Sequence, residues 1–261
     1  MLDMGIARDW SVFSPRAYLK EYYADIGAEN LALLKFLAQA FSDVPGDSVL
    51  LDFGGGPTIY SMIAASARVR EIHFCDYLET NLDEVRRWLA GDANAFDWTQ
   101  FIKTSLVLEG RDYSPSSVRE RAEQVRRKVT RVMPCDANLA EPVGGITWQY
   151  NVLVSNFCAE SATDDREQWR RFVQNITSLL RPDGRLVLAA LKGADSYSVG
   201  DKVFPAVYIL EDDLRQVLRD TGFCEDSIHI ESVPADRPSR HYEGLMLATA
   251  TKCMQNGDRK G

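Results

Sequence analysis

Histidine is scarce in this 261-residue chain. His73, His229 and His241 stand in no pattern with Ser and Asp, or with Cys, that would make a nucleophilic triad or a metal site. Cysteine is thin as well. Cys75, Cys135, Cys158, Cys224 and Cys253 show no CxxC or other ligand spacing and are odd in number, so reduced thiols and no metal are expected. Positive charge is in deficit: 30 basic against 38 acidic residues leave a net charge of −8, which argues against nucleic acid or an anionic membrane as partner. The one basic stretch, residues 119–131, is broken by Glu120 and Glu123 and reads as a solvated helix face. No run approaches the roughly 18 apolar residues of a membrane helix. The start, MLDMGIARDW, lacks the charged-then-apolar order of a signal peptide. What these absences leave is a cytoplasmic protein; a monomer or weak homo-oligomer is expected.

The strongest positive signal is SVLLDFGGGPTIY at residues 48–60. Val49 to Phe53 read as a buried parallel strand, three glycines as a sharp turn, and Ile59, Met62, Ile63 and Ala65 as the apolar face of a helix. Glycine suits a turn whose φ values side chains resist and which a ligand approaches closely. Pro57 suits a helix's first turn. The dinucleotide fingerprint would place a third glycine where Ile59 stands, so a nucleoside without a pyrophosphate fits better. A second strand, residues 71–75, ends at Asp76, twenty residues past Gly56, where such folds bond ribose hydroxyls. An adenosine-type ligand follows; a structural glycine turn capped by an acid is the alternative.

Five segments carry a family resemblance: SPRAYLKEYY (14–23), DFGGGPTIYSM (52–62), DYLETNLDEVRRWL (76–89), AFDWTQF (95–101) and PCDANL (134–139). Over about residues 13–252 the chain resembles the nicotinamide, phenylethanolamine and thioether/indolethylamine N-methyltransferases, a small-molecule branch of the class I S-adenosylmethionine (SAM) methyltransferases. The resemblance implies an α/β, Rossmann-like seven-stranded sheet. Residues 1–45 would be an N-terminal helical cap, 46–254 the SAM-binding domain in one structural unit with it, and 255–261 a frayed tail. It implies that Tyr18 and Tyr23 close over the sulfonium, whose positive charge aromatic faces attract. Gly54, Gly56, Thr58 and Tyr60 would form the cradle, Asp76, Tyr77 and Asn81 the ribose side, Asp136 and the Ala137 amide the adenine side, and Asn156 the methionine side. Tyr22 reads as core filling.

Further along, residues 92–129 carry helical patterns around 98–108 and 117–128. Residues 130–134 and 151–157 read as strands three and four, 165–180 as a helix and RPDG (181–184) as the turn into strand five. Residues 192–207 read as a polar loop holding Tyr197 and Gly200. A helix over 211–221 and strands over 228–233 and 242–251 complete the pattern.

For the reacting side the resemblance points to Tyr197, while Glu160 and Asp164 supply carboxylates after strand four and Asp195 stands beside Tyr197. Amine-binding relatives carry an acid in strand five; here the stretch is Ala189-Ala190-Leu191. Two SAM reactions therefore stay open. One is methyl transfer to the nitrogen, or less readily the sulfur, of a small amine or heteroaromatic acceptor. The other uses SAM as sole substrate: its α-amino group attacks Cγ, giving azetidine-2-carboxylate and methylthioadenosine. A SAM-binding module without catalysis is a third, different class. An NAD dehydrogenase is disfavoured by the glycine spacing and by the want of a catalytic Tyr/Lys pair or His.

Overall fold

The computed structural model describes residues 6–145, 149–236 and 241–254; the expected tail at 255–261 lies outside them. Strands β1 (Val49–Phe53), β2 (Glu71–Asp76), β3 (Val129–Pro134), β4 (Tyr150–Asn156), β5 (Leu180–Lys192), β8 (His229–Pro234) and β9 (Gly244–Thr251) form one sheet in the order β3-β2-β1-β4-β5-β9-β8. The first five run parallel, while β9 is antiparallel to both β5 and β8. Because β1 leads outward to β2 and β3 on one side while β4 pairs on the other, a crevice opens between the carboxyl ends of β1 and β4.

Successive residues of a strand point to opposite faces, and β1 supplies both cores. Leu50 packs with α2 (Gly27–Ala40), α3 (Tyr60–Ala65) and α5 (Thr99–Leu108). Leu51 and Phe53 pack with α7 (Arg166–Ser178) and α8 (Glu211–Asp220). All six residues of α3 are buried, so it has no solvent face to read as amphipathic. α1 (Pro15–Tyr22) starts as its sequence dictates: the Ser14 side chain accepts from the Ala17 N–H and Pro15 takes the first turn. α4 (Glu79–Leu89) follows β2 and buries Leu82, Val85 and Trp88.

Three expectations need correction. α6 (Pro115–Lys128) is not solvated throughout. Arg121 is fully buried, bonding Glu109 at 2.7 Å and the Ile63 carbonyl at 3.2 Å, and Lys128 bonds the Ser66 carbonyl at 2.7 Å. These cations sit on the orphan carbonyls at the end of α3, where the helix dipole is negative. Next, residues 192–207 hold a hairpin, β6 (Ser196–Val199) and β7 (Lys202–Pro205), turning at Gly200 with φ of +61°. Finally, Cys224 and Cys253 are joined as a disulfide across a Cα–Cα distance of 5.0 Å, set up by the antiparallel bridge of Phe223 to Lys252. Only Cys75, Cys135 and Cys158 are free thiols, and burial pushes those of Cys75 and Cys158 up.

Candidate active site

The glycine turn leaves β1 with each glycine bound to a different constraint. A Cβ on Gly54, at φ +66°, would lie 2.1 Å from the Cys158 sulfur, and one on Gly55 would lie 2.4 Å from the Phe74 ring. Those two glycines make room for protein. On Gly56, at φ +64°, the nearest atom would be Tyr18 Cε1 at 4.0 Å, so its side opens into a cavity. The Gly56 N–H donates to Asp76 Oδ2 at 2.8 Å, while Asp76 Oδ1 accepts from the Leu78 N–H and from Asn81 Nδ2, each at 2.9 Å. Burial raises the Asp76 carboxyl above its usual range, and these three donors work against that rise. A fourth donor, the Tyr77 backbone N–H, acts on the same carboxylate, so Asp76 is held in place as an acceptor at the cavity wall.

The cavity holds about 290 Å³, near the floor for a small-ligand site. At one end Asp136 and Ala137 follow β3; Asp136 Oδ1 accepts from the Asn138 N–H at 2.9 Å. Asn156, the last residue of β4, faces the turn across the crevice. Its side-chain N and O are both buried and make no hydrogen bond of normal geometry among the described residues; the Tyr60 phenol is the polar group close enough to interact with the amide. A buried amide left open at a strand's carboxyl end is a polar group awaiting a ligand. Phe157 follows it at φ +53°, a conformation non-glycine residues seldom adopt outside constrained sites.

Aromatic rings roof the other end. Tyr18 lies 5.0 Å from Tyr22 and 5.6 Å from Tyr23, whose ring stacks on Tyr60 at 5.4 Å. The Tyr22 hydroxyl donates to the Ser198 carbonyl of β6 at 2.8 Å, and Trp10 stacks on Phe204 of β7 at 5.2 Å, which ties the N-terminal segment to the hairpin. Tyr197 stacks on Phe204 at 5.7 Å. Burial lifts the Tyr18, Tyr23, Tyr60 and Tyr197 phenols well above their ordinary range, so all four are neutral donors at neutral pH.

Of the residues singled out from the sequence, Tyr18, Tyr23, Gly54, Gly56, Tyr60, Asp76, Tyr77, Asn81, Asp136, Ala137, Asn156 and Tyr197 line this one cavity. Three do not. Thr58 is buried beneath the turn, donating to the Gly55 carbonyl at 2.7 Å. Glu160 points behind the wall, its Oε1 accepting from the Leu191 N–H at 3.0 Å, and burial pushes its carboxyl up to about 7. Asp164 sits at the surface against Arg8 at 2.5 Å, which lowers its pKa. Asp195 is exposed and likewise outside the lining. Tyr22 faces the cavity as well as packing. Leu191, from the strand-five stretch, also lines the cavity, whereas Glu29 and Tyr242 were not expected there; they meet because α2 packs against β9.

The model of the NNMT/PNMT/TEMT family matches residues 6–253. The chain belongs to this family. It is 31% identical over 252 residues to the nicotinamide N-methyltransferase of Sus scrofa, covering 93% of this chain and 94% of that protein. It is 32% identical over 261 residues to the phenylethanolamine N-methyltransferase of Macaca mulatta, covering 95% and 91%. Among solved structures it resembles the 1,6-didemethyltoxoflavin-N1-methyltransferase of Burkholderia thailandensis with bound S-adenosylhomocysteine, at a TM-score of 0.53 and 16% identity over 92% of this chain and 87% of that one. As a member of the family it has the class I methyltransferase fold and is a SAM-dependent methyltransferase, with SAM as cosubstrate. The Asn156 amide, the Gly56 gap and the fixed Asp76 carboxylate fit that cosubstrate.

Proposed function

We propose that this methyltransferase transfers the methyl group of SAM to the nitrogen of a small amine or heteroaromatic acceptor within the lined cavity. The observation that carries the reading is Asn156: a buried amide without a hydrogen bond of normal geometry, lining the same cavity as the glycine turn and the phenol rings. Asp76 and Asn81 hold the ribose, Asp136 and the Ala137 amide the adenine, and Asn156 the amino-acid part. Tyr18 and Tyr23, on the helical cap of the first 45 residues, cover the reacting end and exclude water from it. SAM supplies an activated methyl group; the chain supplies alignment, which is worth several kcal/mol when acceptor lone pair, carbon and sulfur are in line. The acceptor nitrogen must reach that line with its lone pair free, so an ammonium acceptor gives its proton to water before attack. Tyr197, a neutral phenol, orients it. We read the protein as cytoplasmic, monomeric or weakly self-associating, and without nucleic-acid or membrane partners.

A second reading has its own support. The cavity is small, and Leu191 rather than an acid lines it at the end of β5. Both features suit SAM as sole substrate, cyclising to azetidine-2-carboxylate and methylthioadenosine. Mass spectrometry of the protein with SAM alone, then with phenylethanolamine, indolethylamine or nicotinamide, separates the two. Methylthioadenosine without any amine supports cyclisation; S-adenosylhomocysteine that appears only with an amine supports methyl transfer.

A further inference from the structure

We propose that Glu29 is the acceptor-binding carboxylate of the cavity, and that the acceptor is an aromatic compound bearing a primary or secondary aliphatic amine. This rests on the methyl-transfer reading. Among the described residues three acidic side chains line the cavity: Asp76, Asp136 and Glu29. The first two follow β2 and β3 at the glycine end. Glu29 comes from α2 in the helical cap, and lines the cavity together with Tyr18, Tyr22 and Tyr242. Glu29 is buried, and its carboxylate is oriented by the Tyr242 hydroxyl, 3.0 Å from Oε1 and 2.8 Å from Oε2, and by the Asp236 N–H at 3.1 Å.

A carboxylate accepts hydrogen bonds and donates none, so it selects for N–H groups. An aliphatic amine can give an N–H to Glu29 while its lone pair points to the methyl carbon. A pyridine-type ring nitrogen carries no hydrogen and cannot be held this way. The phenol rings of Tyr18, Tyr22 and Tyr242 beside the carboxylate suit an aromatic body and a cationic head.

Calorimetry on the protein loaded with S-adenosylhomocysteine tests this without turnover, using phenylethanolamine and quinoline, which has no N–H, as probes. Glu29→Gln should weaken phenylethanolamine binding at least about tenfold, the loss of one charge-assisted bond, and leave quinoline binding within about twofold. Tyr242→Phe, which keeps the carboxylate but removes the hydroxyl that orients it, should give a smaller loss in the same direction. Unchanged phenylethanolamine affinity in Glu29→Gln, with S-adenosylhomocysteine still bound, overturns the proposal while methyl transfer stands. If the wild-type protein binds no amine and consumes SAM alone, the methyl-transfer reading fails and this proposal with it.

Discussion

The Gly56 N–H donates to Asp76 Oδ2 at 2.8 Å, so the glycine turn after β1 and the acid ending β2 are one unit. Each fixes the other before any ligand arrives. Removing the acid therefore does two things. Asp76→Ala takes a charged acceptor from the ribose and strands three donors, on Gly56, Leu78 and Asn81. SAM affinity should fall on the order of a hundredfold, from about 1.5 to 3 kcal/mol per lost bond to a charged group. The melting temperature should fall as well. Unchanged affinity by calorimetry would remove the nucleoside end from this site.

Gly54 and Gly56 should separate fold from binding. Gly54→Ala drives a methyl into the Cys158 sulfur at left-handed φ, a loss of about 2 to 4 kcal/mol, and Cys158→Ala should restore part of it. Gly56→Ala meets no protein atom closer than 4.0 Å and should lose only about 1 kcal/mol of stability. Its methyl group enters the cavity, so SAM affinity should drop more sharply than stability. A double-mutant denaturation series with parallel SAM titrations reads both.

Buried carboxyls set a pH signature. Burial pushes Asp52 and Glu160 up to about 7, against an unfolded value near 4. The folded state thus holds these protons more tightly than the unfolded chain. Their contribution to stability is complete at acid pH and is lost as pH rises from about 4 to about 7, by up to about 1.4 kcal/mol per pH unit for each group. Asp52→Asn keeps an acceptor for the Ser61 hydroxyl and should abolish one group's slope. Urea midpoints from pH 4 to 8 should show wild type minus Asp52→Asn falling through this window; a flat difference rejects the shift.

The parts of the fold that were legible are those encoded in short stretches. The turn at Gly54 to Gly56, the acid at Asp76 and the strand at Asn156 each sit in a local pattern of apolar run, break and polar residue, and the structure gathers them at one crevice. What escaped depends on distant pairing. Glu29 and Tyr242 are 213 residues apart, and Cys224 and Cys253 are 29 apart; no local pattern joins either pair. Asp164 and Glu160 follow β4 closely in sequence, yet the loop turns one to solvent and the other behind the wall. The β6–β7 hairpin was within reach, since Gly200-Asp201 between Val199 and Lys202 is a two-residue turn signal. Polar flanks hid it, because hydrophobic alternation is weak in a strand pair this short.

The surface position of Asp164 makes a negative prediction. Its pair with Arg8 is solvent-exposed, and such pairs contribute about 0 to 1 kcal/mol. Asp164→Asn should leave SAM affinity and turnover within about twofold of wild type. A tenfold loss of turnover at unchanged SAM affinity would return this carboxylate to the reacting side.

Asn156 should behave in the opposite way. A buried amide with no hydrogen bond of normal geometry and only the Tyr60 phenol near it weakens the protein, by about 1 to 3 kcal/mol for an unsatisfied group. Replacing it with an apolar side chain of similar size removes that burden, so Asn156→Leu should melt at or above the wild-type temperature without SAM. The same substitution deletes the polar contacts kept open for the amino-acid part of SAM. Affinity should then fall at least about tenfold, and the rise in melting temperature that saturating SAM gives wild type should largely disappear. Thermal melts of both proteins, with and without SAM, check the two signs together. A less stable variant that binds SAM normally would mean that Asn156 belongs to the packing of β4 and not to the site.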